Sequence, residues 1–100
     1  MEKIKQDRIL VVKIDELGKL HIKPEVEIFS MIYRTATEVH WNIDKLTLYS
    51  PKPRDWNYLD WYLHIINVVK KECFVNLNLT SDTEWINIPN ELKIDISKAL

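Results

Sequence analysis

The sequence predicts an α+β fold. Three observations carry the prediction: an opening hairpin with period-two alternation, one aromatic-rich helix from about Asp55 to Cys73, and alternating apolar segments on either side of that helix. One hundred residues make one domain, 1–100, since domains run roughly 50–250 residues. Residues 1–7 are charged and are expected to fray. Hydrophobic residues at 46% and charged residues at 29% are ordinary globular values, which exclude a disordered chain.

Ile9-Leu10-Val11-Val12-Lys13-Ile14-Asp15 is β-branched and apolar, so it reads as a strand. Glu16-Leu17-Gly18 supplies a turn, and Lys19 to Lys23 alternates back. Strict alternation places Leu20 and Ile22 with Leu10, Val12 and Ile14 on one face. Ile9 and Val11 then fall on the opposite face, where an antiparallel sheet covered on one side should be polar. Apolar residues there imply a second cover, and a homodimer is the expected partner.

Pro24 to Phe29 suits either a helical turn or a strand. Met31 to Trp41 is rich in Ile, Tyr, Thr and Val and reads as a strand. Asn42–Lys45 forms a turn, with Leu46–Tyr49 returning. Ser50-Pro51-Lys52-Pro53 stops the ladder, because proline donates no backbone N–H. The helix follows, with Asp55 or Asn57 as its cap and Lys70-Lys71 in its last turns, where cations meet the helix dipole favourably.

Within this helix Leu59, Tyr62, Leu63, Ile66, Val69 and Cys73 form one apolar stripe. Tyr58, Trp61, Ile65 and Val68 widen it, leaving Asn57, Asp60, His64, Asn67 and Lys71 as the wet side. So broad an arc needs more than the sheet to cover it. Phe74–Thr80 reads as a strand with Val75, Leu77 and Leu79 inward, Ser81–Thr83 as a turn, and Glu84–Ile88 as another strand. Pro89-Asn90 opens a short C-terminal helix with Leu92, Ile96 and Ala99 or Leu100 inward. The expectation is an antiparallel sheet of about five or six strands built from hairpins, packed by a central and a C-terminal helix.

Several function classes are excluded or weakened. A formal charge of −1 with interleaved lysines and acids argues against nucleic acid as the main partner. One glycine cannot build a phosphate-cradling loop. His21, His40, His64 and Cys73 lack metal-ligand spacing, so no metal and no cofactor are expected. A lone cysteine forms no internal disulfide. The N-terminus shows no apolar signal core and no run spans a bilayer, so the expected setting is the cytoplasm, away from membranes.

Two candidate sites remain. Strand alternation puts Arg34, Glu38 and His40 on one face. Glu38 and His40 there suit an acid–base pair beside an anion-binding arginine, or a polar sheet face with cross-strand ion pairs. Trp41, Trp56, Tyr58, Trp61 and Tyr62 suit either a core or an aromatic groove for a protein partner or a small apolar or planar ligand. The first set implies a small enzyme; the second implies a non-catalytic binding protein.

Taken together, IYRTATEVHWN, PKPRDWNYLDWY and TEWINIP give the chain a further likeness. It resembles the small orphan proteins carried on bacterial mobile gene cassettes, such as those of integrons. The resemblance implies a bacterial, accessory role and transfers no functional residues.

Overall fold

The computed structural model describes residues 4–34, 38–54 and 56–99. In chain order the elements are β1 (Lys5–Ile14), β2 (Leu20–Pro24), a 3-10 turn (Ile32–Arg34), β3 (His40–Asn42), β4 (Thr47–Tyr49), α1 (Tyr58–Cys73), β5 (Val75–Asn78), β6 (Glu84–Ile86) and α2 (Asn90–Lys98). The strands form one sheet in the order β3–β4–β2–β1–β5, and β6 also pairs with β1. The fold is α+β with a mostly antiparallel sheet. Hairpins explain β1–β2 and β3–β4, but β5 and β6 both run parallel to β1. Parallel neighbours need a crossover, and α1 provides one between β4 and β5.

The opening hairpin forms around Asp15. Its backbone N–H donates to the Lys19 carbonyl at 2.9 Å, while Oδ1 accepts the Leu17 and Lys19 N–H groups, each at 2.9 Å. Gly18 takes φ +81°, a conformation that costs glycine nothing. β1 begins at Lys5, four residues before the predicted strand, so Lys5–Asp7 are paired to Val75–Leu77.

A bulge in β1 corrects the predicted alternation. Ile9 pairs with Pro24 and Val11 with Lys23, leaving Leu10 as the extra residue. Ile9 therefore joins Val12 and Ile14 in the core, whereas Leu10 is only half-buried. Pro24 has no N–H for the carbonyl opposite it, and a bulge is the usual remedy. On the β6 side of the strand the Thr83 hydroxyl donates to the Ile9 carbonyl at 2.7 Å. With Ile9 in the core, one of the two residues that implied a covered second face is accounted for within the chain.

The predicted strand over Met31–Trp41 shrinks to β3. The Ile32 and Arg34 N–H groups instead donate to the Phe29 and Met31 carbonyls, each at 3.0 Å. That turn buries Phe29 and Ile32, and the gain in packing outweighs the strand preference of the segment. Thr35 and Thr37 lie outside the described residues.

Helix α1 starts with a capping box: Asn57 Oδ1 accepts the Asp60 N–H at 2.8 Å, and the Asp60 carboxylate accepts the Asn57 N–H. Asp55, the other predicted cap, lies outside the described residues. Phe74 ends the helix at φ +58°, its N–H donating to the Val69 carbonyl. The deepest line of α1 is Trp61, Tyr62, Ile65, Ile66 and Val69, with Leu59, Leu63 and Cys73 flanking it. The helix is thus rolled toward the side that the sequence left without a cover, and α2 packs against it. Ile96 of α2 is fully buried and Leu92 partly so, but Ala99 is exposed, and Leu100 is outside the described residues. Lys93 of α2 lies over the Trp85 ring of β6, 5.6 Å from its centroid.

Candidate ligand-binding cleft

The segment between the two prolines and α1 sets the site. Trp56 immediately precedes the cap and packs on Trp61, four residues into the helix, with ring centroids 4.9 Å apart at 53°. This is a hydrophobic staple, which fixes the angle at which the chain joins the helix. His64 lies three residues beyond Trp61, hence on the same face, at 5.7 Å from Trp61 and 5.1 Å from Trp56. His64 meets both tryptophans nearly edge to face, at 73° and 80°, while the two tryptophans are tilted. Trp61 is 7% exposed and Trp56 is 43% exposed, so the corner is anchored on one side and open on the other.

The rings border a cleft of about 470 Å³, completed by Glu38, Pro51, Lys52 and Arg54. Its volume is in the range of small-molecule sites, roughly 300–1,000 Å³. Two cations and one carboxylate share the rim. Glu38 has φ +66°, a strained conformation for a residue other than glycine.

The remaining predicted aromatics serve the fold. The Tyr58 hydroxyl donates to the Gly18 carbonyl at 2.9 Å and ties the hairpin turn to the start of α1. Tyr62 is fully buried, and burial pushes its phenol well above the usual range. Trp41 packs edge-on against Phe29 at 5.8 Å. Among the described residues neither the Tyr62 hydroxyl nor Trp41 Nε1 has a hydrogen-bond partner.

The Arg34, Glu38, His40 face does not form, because Ile32–Arg34 is a 3-10 turn and Glu38 leaves the extended region. Glu38 lines the cleft, Arg34 is exposed at the end of the turn, and His40 stacks on Tyr49 at 5.2 Å. His64 belongs to the cleft although the sequence places it on the wet stripe. Its three-residue spacing from Trp61 is the signal that identifies it.

A second polar cluster was not evident in the sequence. His21 Nε2 is 2.7 Å from Asp15 Oδ2, and Nδ1 is 2.7 Å from Thr47 Oγ1. His21 also stacks on Tyr49 at 5.2 Å. Burial holds the imidazole below its ordinary value, Lys45 and Lys13 reinforce the shift, and Asp15 opposes it. Burial works against ionisation of Asp15 too. Hydrogen bonds from the Lys19 N–H, His21 and the Leu17 N–H outweigh it and lower that carboxyl. Among the described residues no cluster of three or more His, Cys, Asp or Glu side chains is arranged to hold a metal, and no helix is long and apolar enough to cross a membrane.

The family model and the sequence identity place the chain among the integron gene-cassette proteins, as the resemblance in its sequence implied. It belongs to the family of Integron Cassette Protein Hfx_Cass5, whose family model matches residues 7–83. A solved structure of Hfx_Cass5, from the mobile metagenome of the North West Arm sewage outfall, is 38% identical to it. That match covers 93% of each chain with a TM-score of 0.49. Among curated proteins nothing matches the chain.

Proposed function

We propose that the protein is an accessory, non-catalytic binding protein whose ligand is a small planar molecule held in the Trp56–Trp61–His64 corner. The observation that carries this reading is the placement of Trp56. Its ring is fixed against Trp61 and His64, yet the residue is 43% exposed and borders a cleft of about 470 Å³. A large ring exposed beside a cavity loses little entropy when a flat ligand covers it. Lys52 and Arg54 on the rim favour a ligand with an acidic group, and an arginine matches a carboxylate with two parallel N–H donors.

Indole-3-acetate, a planar ring bearing a carboxylate, is a direct probe. Titration should quench or shift the tryptophan fluorescence saturably, and Trp56→Ala should abolish the response while the circular dichroism spectrum persists. Arg54→Gln should weaken binding by about tenfold, the scale of one charge-assisted hydrogen bond. Saturable binding that survives Trp56→Ala unchanged rejects this site.

A further inference from the structure

The face of the sheet opposite the core carries a second, smaller cavity of about 160 Å³, walled by Val11, Lys13, His21, Lys23, Lys45 and Thr47. The strand register explains the convergence. Across β1 and β2, Lys13 lies opposite His21 and Val11 opposite Lys23. β4 flanks β2 on its other side with Tyr49 opposite His21, which brings Thr47 toward Lys23. Lys45 comes from the turn before β4.

The three lysines make no ion pair with any described residue, although the chain has 15 acidic residues against 14 lysines and arginines. Like charges gathered on one sheet face repel one another, so the fold keeps an unfavourable cluster there. Of the acids beside them, Asp15 is already engaged, Oδ1 holding the hairpin turn and Oδ2 holding His21, and Glu84, opposite Val11 on β6, makes no ion pair with these lysines. His21 and Thr47, 4% and 6% exposed, are joined to each other and form a fixed polar floor.

We propose that this cavity binds a small tetrahedral oxyanion, phosphate or the phosphoryl end of a monoester, between Lys13, Lys23 and Lys45 above Thr47 and His21. The space equals that of about five liquid waters at roughly 30 Å³ each, which suits one phosphoryl group and is below the usual size of a drug-like site. The cation type points the same way. An ammonium is a compact charge with three rotatable donors, suited to oxygens spread over a tetrahedron, whereas a planar carboxylate favours the arginine fork. The described lining contains lysines and no arginine.

The test is calorimetric and NMR titration of the full chain with inorganic phosphate, glycerol 3-phosphate and acetate at matched low ionic strength. Phosphate or its ester should bind saturably with a dissociation constant of about 1 mM or tighter and move the His21 imidazole resonances. The double variant K13Q/K45Q should weaken binding at least about tenfold. K70Q/K71Q, in the exposed last turn of α1, should leave it unchanged. K45Q alone, at an exposed turn position, gives a smaller loss with the fold intact. A tighter constant for glycerol 3-phosphate assigns the site to a monoester, and a tighter one for phosphate assigns it to the free ion. Absence of saturation by both, acetate binding as tight as phosphate, or binding indifferent to K13Q/K45Q overturns the proposal.

Discussion

One carboxylate oxygen of Asp15 is 2.7 Å from Nε2 of His21, while the other oxygen accepts two backbone N–H groups of the turn between them. The hairpin and the buried histidine therefore share an anchor, and their titrations act on stability together. His21 has a folded value below the ordinary 6.5 because burial disfavours the imidazolium. As pH falls through about 6.5 the unfolded chain takes up the proton first, so stability is lost from there toward the folded value. Asp15 is lowered from 3.8, so its contribution is present above that pH and is lost as pH falls below it. Urea unfolding should show a midpoint that declines from about pH 7 to about pH 5, and H21Q should remove much of that slope. An equal slope in H21Q would falsify the assignment to His21.

The start of α1 joins structure to the cleft, and two variants separate the roles. Asn57→Ala removes the capping-box acceptor for the Asp60 N–H and should cost about 1 kcal/mol, with indole-3-acetate binding retained. For a domain of this size that is a fall in melting temperature of about 4–8 °C. Trp56→Ala should cost a similar amount through loss of the staple contact and should also lose the ligand. Parallel losses of binding in both variants would assign the cleft's behaviour to helix fraying instead.

Much of this architecture is legible in the sequence because it depends on local rules. Glu16-Leu17-Gly18 marks the hairpin turn, Asn57 is one of the two caps the sequence offers, and the spacing of Tyr62, Ile66 and Val69 marks the buried side of α1, whereas the anchoring roles of Asp15 and Asp60 emerge in the structure. The bulge at Leu10 is different in kind. It depends on Thr83, far away in the chain, reaching the Ile9 carbonyl, and on Pro24 standing opposite. The strand expected over Met31–Trp41 was lost to packing by Phe29 and Ile32, which β-propensity does not register. For the sites, ring spacing singles out Trp56 and Trp61 and the three-residue step from Trp61 adds His64, but Glu38 meets them only in three dimensions. The His21 cluster joins residues 26 positions apart through cross-strand pairing, and alternation alone gives no sign of it.

Tyr62 contributes a fully buried ring and a hydroxyl with no partner among the described residues. An unpaired buried hydroxyl carries a desolvation cost of about 1–3 kcal/mol. Tyr62→Phe keeps the ring and removes that group, so it should leave stability unchanged or raise it by up to about 1 kcal/mol. Tyr62→Leu, which opens a cavity, should destabilise by several times as much. Chemical denaturation of the two variants checks the ordering, and a large loss in Tyr62→Phe would reveal a partner for the hydroxyl.

Thr83 offers the sharpest test of the bulge. Its hydroxyl donates to the Ile9 carbonyl at 2.7 Å and its oxygen accepts the Thr80 N–H at 3.0 Å, so one side chain satisfies both β1 and the turn before β6. Thr83→Val keeps the shape and β-branching but leaves both backbone groups unpaired in a site where Thr83 is 7% exposed. The expected cost is about 2–3 kcal/mol, larger than a single surface hydrogen bond, because two buried polar groups lose their partner at once. Thr83→Ser retains the hydroxyl and should recover most of it. Amide exchange should report the damage locally, with faster exchange at Thr80 and at the β1–β6 pairs Val11–Lys13 than at β4. If Thr83→Val is as stable as the parent, the bulge is held by Pro24 alone.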